Sequence, residues 1–340
     1  MESGRPEDIR VVMHQHLECK GKKIGNELFV PITLLEKGYF AEKEWIEGQK
    51  LLKIHVSKAR YSEINQYDFR GNYLHYDKNG VENWSVEFHD GIPKTVYPFG
   101  TYFNPSTIAQ YGLQHYSLYL KNKDEQSKQK FLSVAAWFLQ NQNSQGGWAY
   151  QFDHAYYPSR LEKLKAPWYS SIGLGMAMSV LARASYLTKN TTYQNKALQA
   201  TSIFQTSSND HGILAKFEGK YSFYEECPTN PPSYILNGFM FALIGLYDLH
   251  KQTGNRQAGM LYEDGVRTLK RMLPLYDLGN RTAYDLTHYT TDGGYPNIAS
   301  WGYHVTHIHL LAALNSVEKD PKMSETLQRW KGYIDGKMAR

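Results

Sequence analysis

After Pro105 the chain consists of paired helical segments, and this pairing restricts the folds open to it. Apolar residues recur there with the helical period, and residues such as Gly254 mark helix ends. The predicted helices are 106–120, 124–141, 170–187, 192–207, 233–253, 257–273, 301–317 and 321–336. Short links join the helices of a pair, whereas connections of about 25 residues join successive pairs. Four such hairpins predict a mainly α fold, an (α/α) toroid whose long connections gather at one end.

The first hundred residues have a different pattern. LLKIHVSKARYSEI and NWSVEFHDG cluster β-branched and aromatic residues, and turns are predicted at 70–72 and 78–80. We therefore expect a small β-rich region over 1–100 and an (α/α)-toroid domain over 101–340 that carries the functional loops.

Composition and charge exclude several classes of protein. Apolar residues make up 41% and charged residues 21%, which is typical of a globular protein. The chain has no apolar run long enough for a transmembrane helix, and its first residues do not show a signal-peptide pattern. Cys19 and Cys227 are too few for a disulfide framework, and the lysines and arginines are scattered. We expect neither a membrane nor a nucleic-acid partner.

Aromatic residues are concentrated in the long connections. The chain holds 27 tyrosines and 7 tryptophans, whose flat rings with polar tips suit the faces of sugars. The three connections contain NSQGGWAYQFDH, FYEECPTNPP and RTAYDLTHYTTDGGYPNIASWGYH. They predict an aromatic, polar cleft. A tyrosine-rich core without a site is the alternative interpretation.

Two adjacent carboxylates, Glu225 and Glu226, distinguish the second connection. Acidic residues before a helix can simply favour its dipole. However, Pro228, Pro231 and Pro232 stiffen the path to the next helix, as a positioned catalytic group requires. A proton-transfer role is the second hypothesis for this pair.

The third connection adds further candidates. Tyr284 and Tyr303 can serve as acid or base if their pKa values are shifted, or can be core tyrosines. His304 and His307 have a spacing that permits metal ligation, but no third ligand is apparent, so no metal is predicted. Asn237 heads an apolar helix and either caps it or faces the cleft.

Five segments carry a resemblance to a known family. They are FNPSTIAQYGLQHYS, GGWAYQFD followed by WYSS, PTNPPSYILNGFMFALIGLYDLHKQTG, LYEDGVRTLKRMLPLYDLGNRTAYDLTHY and PNIASWGYHVTHI. In this order, over about residues 97–335, the chain resembles the D-glucuronyl C5-epimerases, above all their C-terminal helical domain.

The resemblance implies an isomerase that removes the C5 proton of a glucuronate in a polymer and returns one to the opposite face, giving iduronate. It assigns proton transfer to Glu226 and Tyr303, places Tyr284 beside the carboxylate, and leaves Glu225 a supporting role. It implies no cofactor. The predicted substrate-binding residues are Tyr102, Asn104, Tyr116, Asn237, Arg281, His288 and Asn297.

Two positions depart from the family pattern. Cys227 stands where the family has a tyrosine, and we include it among the catalytic candidates because a thiol can act as donor or base. Thr287 stands where the family has an arginine, for which Arg281, His288 or Lys165 could compensate.

The implied partner is an acidic polysaccharide, heparosan or N-sulfated heparosan, as in heparan sulfate biosynthesis. Because family members form dimers, we expect a homodimer. The expected location is the cytoplasm of a microbe, or the Golgi lumen for a trimmed animal-type enzyme. The alternatives are a uronate polysaccharide lyase and a non-catalytic acidic-polysaccharide-binding protein. A glycoside hydrolase is disfavoured because adjacent glutamates diverge and cannot readily flank one bond.

Overall fold

A computed structural model describes residues 6–13, 17–34, 36, 42–55, 59–157, 159–291 and 293–337. Within these residues the α-helices are α1 (Pro105–Asn122), α2 (Glu125–Gln140), α3 (Ser171–Thr188), α4 (Thr191–Gln199), α5 (Leu236–Thr253), α6 (Arg256–Met272), α7 (Thr287–Thr290), α8 (Trp301–Glu318) and α9 (Pro321–Ile334). The eight predicted helices are confirmed. Their main deviation is α4, which ends early and continues as a 3-10 helix over Ala200–Gln205, and the short α7 was not predicted.

Side-chain caps and glycine fix the helix ends. The Asn104 side chain accepts hydrogen bonds from the first-turn N–H groups of α1, and Asp124 and Asp320 do the same for α2 and α9. Gly254 ends α5 in the left-handed conformation, with φ of 67°. No described helix combines the length and apolar character that a membrane crossing requires.

The first helix of each hairpin is the more deeply buried one. These helices, α1, α3, α5 and α8, pack against one another in that order, and each also contacts its hairpin partner. The closest approach is between α3 and α5, where Gly175 and Gly245 meet: a Cβ on either glycine would collide with the backbone of the other helix. The three long connections each run from the end of one hairpin to the start of the next.

Small antiparallel sheets accompany the helices. The strands are β1 (Glu7–Met13), β2 (Leu17–Ile24), β3 (Glu27–Phe29), β4 (Glu42–Ile46), β5 (Leu51–His55), β6 (Val86–His89), β7 (Ile92–Tyr97), β8 (Gly100–Tyr102), β9 (Leu214–Phe217) and β10 (Tyr221–Tyr224). They pair as β1-β2-β3, β4-β5, β6-β7-β8 and β9-β10, and β7 packs against α1. The division of the chain at residue 100 remains a prediction.

An irregular segment, residues 59–84, lies between α1 and α8. The N–H of Tyr73 donates to Ser117 Oγ on α1 over 3.2 Å, and the N–H of Tyr67 donates to Ser316 Oγ on α8 over 2.8 Å. These bonds hold the backbone of segment 59–84 against both helices. The segment therefore forms one side of the space between α1 and α8.

A buried ionic network joins α3, α5 and segment 59–84. Arg183 Nη1 lies 2.5 Å from Asp248 Oδ2, and Arg183 Nη2 donates to the Tyr67 hydroxyl over 3.0 Å. The same hydroxyl donates to Asp248 Oδ2 over 3.0 Å. The guanidinium also lies over the rings of Tyr73 and Tyr116, at 5.0 and 5.6 Å from their centroids. The charge of Asp248 is therefore balanced in the core.

Candidate active site

A cavity of about 700 Å³ opens near the N-terminal ends of α1, α3, α5 and α8. Its walls come from α1, α3, α5 and α8, from the first and second long connections, and from segment 59–84. This is the rim on which the sequence predicts a cleft. A cavity of this size and composition is suited to a sugar substrate.

Glu226 follows strand β10 and points into the cavity beneath the first turn of α5. Asn237 Nδ2 donates to Glu226 Oε2 over 3.0 Å, and the N–H of Gly238 donates to the same carboxylate. A side chain at position 238 would collide with it. Burial raises the pKa of Glu226 to about 7, although the two hydrogen bonds favour the ionised form. A carboxyl group with this pKa can accept and return a proton at neutral pH.

Glu225 points away from the cavity and is fully buried. Its carboxylate accepts a hydrogen bond from Ser233 Oγ over 3.0 Å and from the N–H of Tyr234 over 3.2 Å, and its carbonyl accepts from the N–H of Ser171 over 3.0 Å. Burial raises its pKa to about 8. These contacts tie the loop to α3 and to the start of α5, which agrees with the supporting role that the sequence predicts.

Tyr303 lies on the first turn of α8 and lines the cavity, with Tyr284 behind it. Their ring centroids are 4.7 Å apart in an edge-to-face arrangement, and the Tyr284 hydroxyl donates to that of Tyr303. Burial and the charge of Glu226 raise the pKa of Tyr303, whereas the hydrogen bond from Tyr284 opposes this shift. Burial, followed by Glu226, also raises the pKa of Tyr284. Both tyrosines are therefore neutral acids near Glu226.

Cys227 lines the cavity but packs in an aromatic cluster with Tyr150, Trp168 and Ile235. Burial raises the pKa of its thiol well above the usual range, and the charges of Glu226 and Glu225 add to this shift. A thiol in such surroundings stays protonated near neutral pH, so it is a poor base. Of the two roles considered from the sequence, only the donor role fits these surroundings.

A stack of three rings forms the wall beside Cys227. Trp168 stacks on Tyr150 at 4.4 Å and on His154 at 5.8 Å between centroids. Pairing of the backbone at Tyr150 with that at Trp168, and at His154 with that at Leu164, fixes these positions. Burial lowers the pKa of His154, which leaves its imidazole neutral. Sequence reasoning missed these residues, although the alternation in AYQFDH places Tyr150, Phe152 and His154 on one side.

The charges on the cavity wall are unequal. Among the described residues that line it, Glu226 is the only carboxylate, while Arg60 and Lys78 are cations. Neutral hydrogen-bonding groups and aromatic rings make up most of the remaining lining. The electrostatics therefore suit an anionic substrate whose charge lies away from Glu226.

The other predicted site residues divide into two groups. Asn104 and Asn237 line the cavity, and Asn104 Nδ2 also donates to the Tyr97 hydroxyl over 2.7 Å. Tyr102 borders a smaller neighbouring cavity and packs 5.2 Å from the ring of Phe152. The residues absent from the described lining of the 700 Å³ cavity are Tyr102, Tyr116, Tyr284, Arg281, His288 and Asn297.

Tyr116 and Arg281, which are predicted to contact substrate, are buried within the walls. Tyr116 is 1% exposed, and its hydroxyl donates to the Arg70 carbonyl over 2.8 Å. Arg281 is 3% exposed, and its guanidinium lies 3.9 Å from the ring centroid of Trp301. Neither side chain belongs to the described cavity lining, and their substrate contacts stay predictions.

His288 and Asn297 lie around Asp285, behind the cavity wall. Asn297 Nδ2 donates to Asp285 Oδ2 over 2.7 Å, and the Thr287 hydroxyl donates to Asp285 Oδ1 over 2.6 Å. Substrate contacts of His288 and Asn297 stay predictions. Another basic alternative considered from the sequence, Lys165, forms an ion pair with Asp153 at 3.0 Å.

The two histidines with metal-ligand spacing have a structural role. His304 Nδ1 and His307 Nδ1 both hydrogen-bond Thr282 Oγ1, over 3.0 and 2.8 Å. Burial lowers the pKa of His304 to about 4. Across the described ranges, no three His, Cys, Asp or Glu side chains are grouped as metal ligands would be.

Two solved structures show distant similarity to the chain. The structure of UGL with dGlcA-Glc-Rha-Glc has a TM-score of 0.45 and 17% identity, covering 68% of this chain and 62% of that chain. A polysaccharide lyase has a TM-score of 0.43 and 15% identity, covering 75% of this chain and 70% of the other. Neither likeness is close enough to support an argument about fold or function.

Sequence comparisons are more specific. The family model for the D-glucuronyl C5-epimerase C-terminus matches residues 142–332. The chain is 38% identical to D-glucuronyl C5-epimerase of Caenorhabditis elegans over 233 residues, which cover 65% of this chain and 37% of that protein. It is 32% identical over 142 residues to an uncharacterised protein of Methanocaldococcus jannaschii, covering 41% of this chain and 44% of the other.

In both cases the match covers less than half of the relative's length. The family match, in contrast, includes α3 to α8, the loop with Glu226 and the helix with Tyr303. On this basis the chain belongs to the D-glucuronyl C5-epimerase C-terminal family.

Proposed function

We propose that this protein epimerises C5 of D-glucuronate to L-iduronate within a heparosan-type polysaccharide. The observation that carries the proposal is the meeting of Glu226, whose pKa is about 7, with the neutral Tyr303 in one cavity. Inversion at a carbon next to a carboxylate needs a base on one face and an acid on the other. This pair supplies both.

In the first step Glu226 accepts the C5 proton, and the electron pair of the broken C–H bond moves into the substrate carboxylate as an enediolate. Hydrogen-bond donors must stabilise that charge. We assign this to the Tyr284–Tyr303 hydroxyl pair and to the neutral thiol of Cys227. Tyr303 then gives its proton to the opposite face of C5, and Tyr284 stabilises the resulting phenolate through its hydrogen bond.

The surroundings favour a polymeric, acidic substrate. Arg60 and Lys78 offer positive charge, and the stack of Tyr150, Trp168 and His154 offers flat faces to sugar rings. Heparosan and N-sulfated heparosan both have this chemistry. The helices α1, α3, α5 and α8 contact one another in this sequence, which supports an (α/α) toroid as the scaffold. A homodimer is also part of the proposal.

The test is NMR of heparosan and of N-sulfated heparosan after incubation with the protein in D2O. Deuterium at C5 together with iduronate signals is the expected result. Glu226→Gln should reduce exchange by roughly 10²- to 10⁴-fold because the base is lost. Glu263→Gln, an exposed change on α6, is the control and should leave the rate unchanged.

Other outcomes would replace the proposal. A product that absorbs ultraviolet light through a new C4–C5 double bond would indicate a lyase, which begins with the same proton abstraction. Polymer binding without exchange on either substrate would indicate a binding protein.

A further inference from the structure

Segment 59–84 contributes a cavity wall that the proton transfer does not use. Its lining residues include Arg60, Lys78 and the tryptophan Trp84, whose side chain is 43% exposed. Cations and an exposed ring on one surface match a sugar that carries a negative charge. This wall therefore has the chemistry of a binding site for part of an acidic polymer.

The contacts of this wall show that it is ordered by α8. Lys78 Nζ donates to Ser62 Oγ over 2.9 Å, and the N–H of Ser62 donates to His309 Nε2 over 3.0 Å. Burial lowers the pKa of His309 to about 4, so its ring is neutral and can accept this bond. A lysine ammonium has three donors, and Ser62 uses one of them. Lys78 is thus positioned while still able to bind an anion.

The wall is also separated from the reacting groups. His309 follows Tyr303 by six residues on α8, which corresponds to about 9 Å along the helix axis. Tyr303, Thr306 and Leu310 all line the cavity, so the cavity follows this face of α8. In a polysaccharide that places one sugar at Glu226 and Tyr303, the neighbouring sugars are directed along this face of α8.

We propose that Arg60, Lys78 and Trp84 form a second subsite, which binds an anionic group on another sugar of the same polymer chain. The inference rests on the proposed function and adds to it: the enzyme recognises a polymer through two sites, and a single uronate occupies only one. The anion is either the carboxylate of a further uronate or the sulfate of an N-sulfated hexosamine.

The experiment measures binding and kinetics for wild type, Arg60→Gln and Lys78→Gln on heparosan and on N-sulfated heparosan. Each variant should weaken polymer binding and raise KM by about tenfold, with kcat within about twofold, because the site is remote from C5. Lys322→Gln removes an equally exposed lysine at the start of α9 and should change neither. Thermal unfolding of the variants should match wild type.

The outcomes separate the subsite from the reaction. Unchanged binding and KM in both cavity variants would overturn the subsite even if C5 exchange occurs. Weakened binding in the variants without any exchange by wild type would support the subsite and reject the epimerase. If the variants bind both polymers more weakly than wild type, the ligand is a carboxylate. If they bind only the N-sulfated polymer more weakly, the ligand is the sulfate. Failure of wild type to bind either polymer would reject both proposals.

Discussion

Two carboxylates near the two ends of α5 differ in their partners. Near the C-terminal half of α5, Asp248 lies 2.5 Å from Arg183. At the N-terminal end, Glu226 receives hydrogen bonds only from neutral donors, Asn237 and the N–H of Gly238. Burial raises the pKa of both acids, but only Asp248 has a cation to oppose it. A paired carboxylate holds its charge and fixes the fold, whereas an unpaired one titrates near neutral pH and is available for chemistry.

The largest effect should come from breaking the paired site. Arg183→Met leaves Asp248 buried without its cation, which should lower the free energy of unfolding by roughly 3–5 kcal/mol. Urea denaturation measures the loss. The double variant Arg183→Met with Asp248→Leu should recover part of it, since neither charge remains. Wild-type stability in the single variant would show that the pair does not hold α3 and α5 together.

Glu225 provides the next test, because it is a buried acid that lacks a cation. Its pKa rises from an ordinary value of 4.5 to about 8 on folding, so the unfolded chain ionises first as the pH increases. Stability is therefore lost as the pH rises between these values, by about 2–3 kcal/mol between pH 5 and pH 7. In Glu225→Gln this part of the slope should disappear, whereas the contributions of Glu226 and of the other groups with shifted pKa values should remain.

Unfolding curves of wild type and Glu225→Gln at several pH values measure the difference. Glu162→Gln, an exposed acid in the first long connection, is the matched control and should keep the wild-type slope. Parallel pH profiles for wild type and Glu225→Gln would mean that Glu225 is ionised in the folded protein.

At Glu226, the hydrogen bonds from Asn237 and from the N–H of Gly238 help to set the pH range in which the carboxylate can act as a base. Asn237→Ala removes a hydrogen bond that favours ionised Glu226, so the pKa should rise from about 7 by about one unit. A base works only when ionised, so the acid limb of the kcat/KM profile should move to higher pH by the same amount. Its position is measured by the rate of C5 exchange between pH 5 and pH 9. An unmoved limb would assign the base to another group.

The smallest effect is expected from the hydrogen-bond partner of the proton donor Tyr303. Tyr284→Phe deletes the hydroxyl that donates to Tyr303, which should cost about 1 kcal/mol, or about fivefold in kcat. Exchange kinetics on heparosan measure this change, and Tyr119→Phe, at the far end of α1, should leave the rate unaltered. A normal rate in Tyr284→Phe would show that Tyr303 works alone.

The sequence predicts the helices well because their signals are local. Capping residues such as Asn104, Asp124 and Gly254 lie within one turn of the ends that they define, and the apolar period identifies the segments between them. The 3-10 turn after α4 escaped prediction because its apolar residues continue the helical pattern. The order of the predicted hairpins also predicts that Glu226, in a long connection, and Tyr303, in the first turn of α8, lie at the same end of the helices.

Contacts between distant parts of the chain could not be predicted in this way. Tyr67 and Ser316 are 249 residues apart in sequence, so nothing local indicates that segment 59–84 lies beside α8. Arg183 is a single charge in an apolar helix, and only the structure shows Asp248 opposite it. The same limit applies to Tyr116: the resemblance implies a substrate contact, and only the structure shows the Arg183 guanidinium over its ring in the core.

The meeting of Gly175 with Gly245 sets a lower limit on the distance between α3 and α5. The backbones of α3 and α5 already touch there, so these two helices cannot move closer at this crossing. Any larger residue at either position would act as a spacer that widens the gap under the loop of Glu226. A substitution at this crossing can therefore act in one direction only, towards a wider separation of α3 and α5, and a narrower site would have to be built from side chains that fill it.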